Sequence, residues 1–562
     1  MGKNIDCLFI GHNEMDFEEY ERSISKMGYN SGAYRDLNLN FIRYKNKPRT
    51  LPEIFNLFYF NNGGVHSRES INPLRMGETF SAAISYLGSY LHRRGFTFDL
   101  VNAFQYEKAE LAEKLTSQHV LAVAIITTYY VFALPIFEIV EFVKKHNPDT
   151  KIIIGGPFIF SQYRTQAPTV YECLFESINA DFYVISHQGE ATLVKLLHAI
   201  KSDFSYESIE NIYYKTGKGY QSTQVVREDN QLSAERVNWS LFSGKVGEYV
   251  DVRTVISCPF SCAFCGSPEH SGKYQTLSDR EIESELNQLV EIESLKGLSF
   301  IDDTFNVPAQ RFKNILRMMK KNNYQFEWIS NLRCQFADRE MVELMKECGC
   351  QGVFLGIESG NDQILKNMNK AASVEKYLNG ISLLKEYGIL TFGSFILGFP
   401  GETCDTVQDT LRFIEESGLD FFRPHLFYFE PITPIWKERV KYDLKGESFE
   451  WIHRTMDSKT AADLIDKIFL SVKNTIWVPQ YNFDFDHLWR LRHRGMSLEQ
   501  IKEFLNAFNN AIREKLVNPS QEAISPEAIQ RIKKACQGNS ETDNSPDEHL
   551  PLAESYEVNF NF

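Results

Sequence analysis

The chain has 562 residues, 43% hydrophobic and 24% charged, with a formal net charge of −14. That length exceeds one core and points to about three or four domains, with the composition of a globular protein. Acidity without a long basic run excludes a general nucleic-acid binder, though local charge can still suit an anionic small substrate. The opening Met1-Gly2-Lys3 lacks the charged and apolar regions of a signal peptide and the Ser or Thr of a myristoylation site. No stretch reaches the roughly 18 apolar residues of a spanning helix. Ten cysteines are scattered without a repeating framework. We therefore expect a cytoplasmic protein with reduced thiols and no membrane partner.

In chain order, residues 4–10 read as a first strand ended by Gly11. Residues 13–76, rich in Asn, Tyr and Phe, read as an insertion that either forms a binding surface or covers a sheet edge. From Glu78 an alternating β/α pattern runs to about residue 205, with an unbroken apolar strand at Val120–Ile126, the mark of a buried parallel sheet. The expected domain at 1–205 is thus a Rossmann-like, doubly wound sheet. Ligands of such sheets bind at the carboxyl ends of the strands, and three ends stand out: Thr127-Thr128-Tyr129, Gly155-Gly156-Pro157, and Ser186-His187-Gln188-Gly189-Glu190. Paired glycines let a backbone approach a large flat ligand, or simply make tight turns.

Residues 206–250 read as a connector. A second α/β series spans 251–440, with strands expected at 252–256, 298–301, 326–330, 352–356 and 391–397, a full or partial β/α barrel whose chemistry would sit at the strand ends. Residues 441–537 read as mainly helical, and 538–562, rich in Asn, Ser, Glu, Asp and Pro, as a disordered tail.

The most informative stretch follows the first barrel strand: Cys258-Pro259-Phe260-Ser261-Cys262-Ala263-Phe264-Cys265. Thiolates are the usual ligands of iron–sulfur clusters, and three of them leave one iron of a cubane open to a small molecule. A zinc site completed by His270 would have unusual spacing. Three clustered cysteines cannot pair evenly as disulfides. Three ordinary buried cysteines within eight residues would be a coincidence.

The Cys-x3-Cys-x2-Cys spacing resembles that of the radical S-adenosylmethionine (SAM) superfamily. Ser299-Phe300-Ile301-Asp302-Asp303-Thr304-Phe305 resembles the second-strand motif of its cobalamin-dependent branch. Gly356-Ile357-Glu358-Ser359-Gly360 looks like the fourth-strand motif, and Phe395 to Thr403 like the fifth. With a first sheet similar to that branch's cobalamin-binding domain, the chain resembles the cobalamin-dependent radical SAM family, methyltransferase type. The openings Ile10 to Phe17 and Tyr34 to Phe41 are similar to those of P-methyltransferases of the phosphinothricin type. One departure stands out: no DxHxxG loop occurs, so His12 is not expected to ligate cobalt, as is common in that branch.

The resemblance implies a [4Fe–4S] cluster on Cys258, Cys262 and Cys265, SAM at its open iron, and methylcobalamin between the domains. By the same resemblance Phe264 would lie near adenine or shield the cluster. Asp302 and Asp303 would accept from the SAM ammonium, and Arg333 would clamp its carboxylate. Glu358 would bond the ribose or order the site, and Leu397 and Gly398 would offer backbone to adenine. Thr127, Thr128, Tyr129, Gly155, Gly156, Gly189 and Glu190 would face cobalamin. Trp451 to Arg454 and His425 are candidates for the substrate wall or for plain core. The implied activity is methyl transfer to an unactivated carbon or phosphinate phosphorus of a small molecule, free or carrier-bound, with electrons from a reductase such as flavodoxin or ferredoxin. Rival readings are a cobalamin-dependent cyclase or rearrangement enzyme, a methylthiotransferase (disfavoured by the few N-terminal cysteines and the acidic charge), and a non-enzymatic sensor.

Overall fold

A computed structural model describes residues 3–60, 73–75, 78–519 and 523–537. The expected tail at 538–562 and part of the expected insertion at 13–76 lie outside them. Two seven-stranded sheets organise the rest.

The first sheet runs in the order Phe98–Ala103, Asn4–His12, His119–Ile126, Lys151–Gly155, Phe182–Val184, Ile212–Thr216, Gly219–Ser222. Its first five strands are parallel and the last two antiparallel. Among the parallel strands the order is second, first, third, fourth, fifth, so the winding reverses between Asn4–His12 and His119–Ile126, where such sheets open a ligand crevice. These two strands are apolar on both faces because helices cover both sides. The two antiparallel strands come from the expected connector. Tyr213 and Tyr220 stack there at 5.2 Å, and the Tyr220 hydroxyl donates to the Ala180 carbonyl at 2.6 Å, which fastens the hairpin to the sheet edge.

The second sheet is parallel throughout, in the order Tyr249–Val252, Gly297–Phe300, Glu327–Leu332, Cys350–Glu358, Leu390–Leu397, Phe421–Leu426, Ile476–Trp477. Its terminal strands do not pair, so the barrel stays open. The expected strand at 252–256 is divided: Val255–Ile256 leaves the barrel to pair with Gln275–Thr276, which turns the chain into the cysteine loop.

The open barrel is plugged from the C-terminal region. A β-carbon on Gly352 would lie 2.8 Å from the Phe485 ring and 2.9 Å from that of Trp489, so the close seating of these aromatics needs glycine there. Arg490, 1% exposed, donates to Asp486 at 2.5 Å, to Glu78 at 3.3 Å and to the Thr79 hydroxyl, tying this plug to the N-terminal half.

The described part of 13–76 folds as helices Phe17–Ser25, Gly32–Asn38 and Leu51–Tyr59 and a hairpin, Phe41–Tyr44 with Lys47–Thr50. It grips the C-terminal helices: Arg35 pairs with Asp463 and Asp466, and Lys515 donates to the carbonyls of Asn38 and Phe41 at 2.5 and 2.7 Å. Residues 458–471, 498–517 and 526–537 are helices, as the apolar periodicity suggests.

Candidate active site

The cysteine loop leaves Val255–Ile256 through Ser257, whose φ of 66° is left-handed, a conformation that costs about 1–3 kcal/mol in a non-glycine residue. Its surroundings hold it in place. The Ala263 N–H donates to the Met368 carbonyl at 2.8 Å, and the Ala263 carbonyl accepts from Ile435 N–H at 2.9 Å. Cys262 is buried, while Cys258 and Cys265 are half-buried. Arg333 donates to the Cys262 sulfur at 3.1 Å, and the Ser267 N–H to that of Cys265 at 3.4 Å. Burial, then the charges of Asp303, Cys262 and Cys258, push the Cys265 thiol up to about 11. Cys265 thus keeps its proton until positive charge binds, and iron would supply that charge. Among the described residues no three His, Cys, Asp or Glu side chains converge on one ion position. The residues fit the cluster; His270 lies in a cavity wall instead.

Around this loop several expected SAM contacts have other work. Asp302 is a correction. Its carboxylate is 1% exposed and accepts from Thr254 N–H at 2.7 Å, Val255 N–H at 2.9 Å and the Thr254 hydroxyl. It fastens the strand that feeds the cysteine loop and has no oxygen facing an open site. Asp303 is exposed and accepts from the Ser267 hydroxyl at 2.5 Å. Arg333 is likewise engaged, with the Cys262 sulfur, the Lys370 carbonyl at 2.9 Å and the Phe260 ring at 3.7 Å. Glu358, at a left-handed φ of 67°, pairs with buried Lys370 at 2.7 Å. Lys370 also lies 5.5 Å from the centre of the half-buried Phe264 ring. Gly398 is a second correction: its N–H donates to Glu402 at 2.5 Å and its carbonyl accepts from His453 at 3.1 Å. The Leu397 carbonyl accepts from Phe427 N–H at 2.8 Å. Neither residue has that backbone free for adenine. Trp451 packs on Gly398 and donates to the Phe427 carbonyl at 2.8 Å, so Trp451 and His453 are core. Half-buried His425 sits in the strand Phe421–Leu426, held by burial at about 4.

A cavity of about 360 Å³ opens between the carboxyl ends of the two sheets. One wall holds Thr128, Gly155, Gly156, Gly189 and Glu190; the other holds Arg253, Ser257 and Asp303. Three wall atoms, Arg253 Nε, His187 Nε2 and His270 Nδ1, are buried with no hydrogen-bond partner among the described residues. Gly156 and Gly189 take φ of 113° and 127°, conformations that glycine alone adopts without strain. A broad apolar crevice ringed by unmet polar atoms fits a large flat ligand with polar edges. Thr127 is a correction: its N–H and hydroxyl donate to the Gly155 carbonyl at 2.9 and 2.8 Å, so it shapes the glycine turn without lining the cavity. Tyr129 lies edge-on to His12 at 5.7 Å in a neighbouring cavity of about 320 Å³ at the barrel mouth. Sequence reasoning missed Arg253 and the whole 480–487 segment that walls this second cavity.

Residues 253–414 match the Radical SAM superfamily. That stretch contains the cysteine loop and the barrel strands Gly297–Phe300, Glu327–Leu332, Cys350–Glu358 and Leu390–Leu397, so the chain is an enzyme that carries a match to the radical SAM domain. Over 315 residues it is 26% identical to an uncharacterized methyltransferase of Pyrococcus horikoshii, spanning 55% of this chain and 67% of that one. It is 23% identical over 402 residues to an anaerobic magnesium-protoporphyrin IX monomethyl ester cyclase of Cereibacter sphaeroides, spanning 67% and 62%. Its fold is similar to the radical SAM methyltransferase TsrM from Kitasatospora setae with cobalamin and a [4Fe–4S] cluster bound. The TM-score is 0.54 at 18% identity, covering 65% of this chain and 72% of that one. What the chain shares with that structure is the fold, two α/β sheets with a helical C-terminal region.

Proposed function

We propose that the protein is a cobalamin-dependent radical SAM methyltransferase acting on an unactivated carbon or a phosphinate phosphorus of a small-molecule intermediate. One observation carries this reading: the inter-sheet cavity and the cysteine loop share a wall, since Arg253 and Ser257 line the first and lead directly into the second. When bound, the cluster and SAM supply a 5′-deoxyadenosyl radical, and methylcobalamin supplies the methyl group.

The chain's own residues position these groups. Cys258, Cys262 and Cys265 hold the cluster, and the Arg333 guanidinium stabilises the Cys262 thiolate by a charge-assisted bond. Gly155, Gly156 and Gly189 let the corrin approach the sheet edge. Burial raises the Glu190 carboxyl; one of its oxygens accepts from Asn230 at 3.0 Å, and the other would meet an amide of the ligand. Arg253 Nε and His270 Nδ1 offer further polar contacts. Residues 480–490 close the barrel side, keeping water from reactive intermediates. A reductase such as flavodoxin or ferredoxin would deliver the electron.

The test needs no substrate. Anaerobically reconstituted protein, its cobalamin reduced, is mixed with methyl-labelled SAM. We expect label on cobalamin and S-adenosylhomocysteine in equal amount. SAM cleavage without methylation of cobalamin would favour the cyclase reading, and loss of cobalamin on gel filtration would overturn both.

A further inference from the structure

The cavity at the barrel mouth is unlike its neighbour. Its wall includes two carboxylates, Asp251 and Asp484, with no hydrogen bond or ion pair to either among the described residues. Asp251 is nine-tenths buried. Asp484 is exposed and lines the cavity. No lysine or arginine lines the cavity among the described residues. The nearest cation, Arg490, is committed to Asp486 and Glu78.

A second observation is independent of this charge. His487 and Ser330 also line the cavity, are 2% and 4% exposed, and keep Nε2 and the hydroxyl oxygen buried with no partner. Gln480 lines the same cavity and is within hydrogen-bond reach of His425. Buried polar atoms are almost always satisfied, so these unmet atoms beside two carboxylates that have no direct partner imply a ligand bearing N–H donors. Phe485 and Phe354 supply a flat apolar wall beside them.

We propose that this cavity seats the part of the substrate that carries a protonated primary amine beside an apolar, preferably aromatic, group, with its N–H bonds directed to Asp251, Asp484 and the Ser330 hydroxyl. This rests on the methyltransferase reading and narrows its substrate class. An anionic group such as a phosphinate would meet two carboxylates with no cation in the cavity wall, so this part of the substrate is not the anionic one.

The test uses a matched pair of probes, phenethylammonium and 3-phenylpropionate. Each is titrated by calorimetry into the anaerobic protein reconstituted with cluster, cobalamin and SAM. Phenethylammonium should bind wild type, D484N and D251N should each weaken it at least tenfold, and 3-phenylpropionate should not bind. Equal binding of the anion, unchanged ammonium binding in both variants, or no ammonium binding to the wild type overturns the proposal. Production of 5′-deoxyadenosine is measured on the same samples. A wild type that makes none sinks the radical SAM reading, while the amine site stands or falls on the titration.

Discussion

Replacing Asp302 separates two roles for a residue at the heart of the site. In this structure its carboxylate is the acceptor for two buried backbone N–H groups, Thr254 and Val255, and for the Thr254 hydroxyl. Asp302→Ala leaves these donors inside a packed interior. Each orphaned buried donor costs about 1–3 kcal/mol, so the two backbone groups alone lose about 2–6 kcal/mol. Set against a typical domain stability of about 5–15 kcal/mol, that is a large fraction. Arg311, which donates to the Thr254 carbonyl at 3.0 Å, also loses a nearby countercharge. Asp302→Asn keeps one acceptor oxygen and should cost less, about 1–3 kcal/mol. Urea unfolding of the metal-free protein measures the loss, and iron per chain after anaerobic reconstitution measures the cysteine loop. Both should fall together, alanine more than asparagine. An alanine variant with the wild-type urea midpoint and full iron, but weakened SAM binding, would refute the fastening role and restore Asp302 as a ligand of SAM.

Three further outcomes follow from buried charges. Burial pushes Glu402 up to about 8 from an ordinary 4.5, so the folded state keeps a proton that the unfolded chain has lost. Stability from this group is fullest below pH 4.5 and falls as pH rises toward 8; the urea midpoint should drop between pH 5 and pH 8.5, and Glu402→Gln should flatten that drop. Lys370→Met strands the Glu358 carboxylate and should destabilise by about 3–5 kcal/mol, whereas the double variant with Glu358→Gln should recover most of the loss on the same urea curves. Arg333→Lys cannot reproduce a flat fork that reaches the Cys262 sulfur and the Lys370 carbonyl while stacking on Phe260. It should lose iron to a chelator faster than wild type, as followed by visible absorbance.

The parallel strands were legible because their signal is local. Val120–Ile126 is an unbroken apolar run, and the cysteine spacing is contained within eight residues. What stayed hidden depends on distant partners. Asp302 looks like a free strand-end carboxylate until Thr254, forty-eight positions earlier, is seen to occupy it. Gly398 looks like a close-approach backbone until Glu402 and His453 are found on its N–H and carbonyl. The segment after residue 13 has little period because its aromatic and charged residues answer to the C-terminal helices, as Arg35 does to Asp463 and Asp466. The wall at 480–487 is separated in sequence from every barrel strand it touches, so nothing local marks it. Residues 212–222 read as linker because a short hairpin added to a sheet edge carries few apolar positions.

The central claim is that three thiolates in one loop hold a cluster whose open iron engages SAM. Its most direct measurement is 5′-deoxyadenosine formed by the anaerobically reconstituted protein with SAM and a reductant, beside a variant with Cys258, Cys262 and Cys265 all replaced by alanine. The account predicts iron, sulfide and steady product from the wild type, and none of them from the variant. Product persisting in the triple variant, or wild-type protein binding zinc at this loop with no iron, would contradict it.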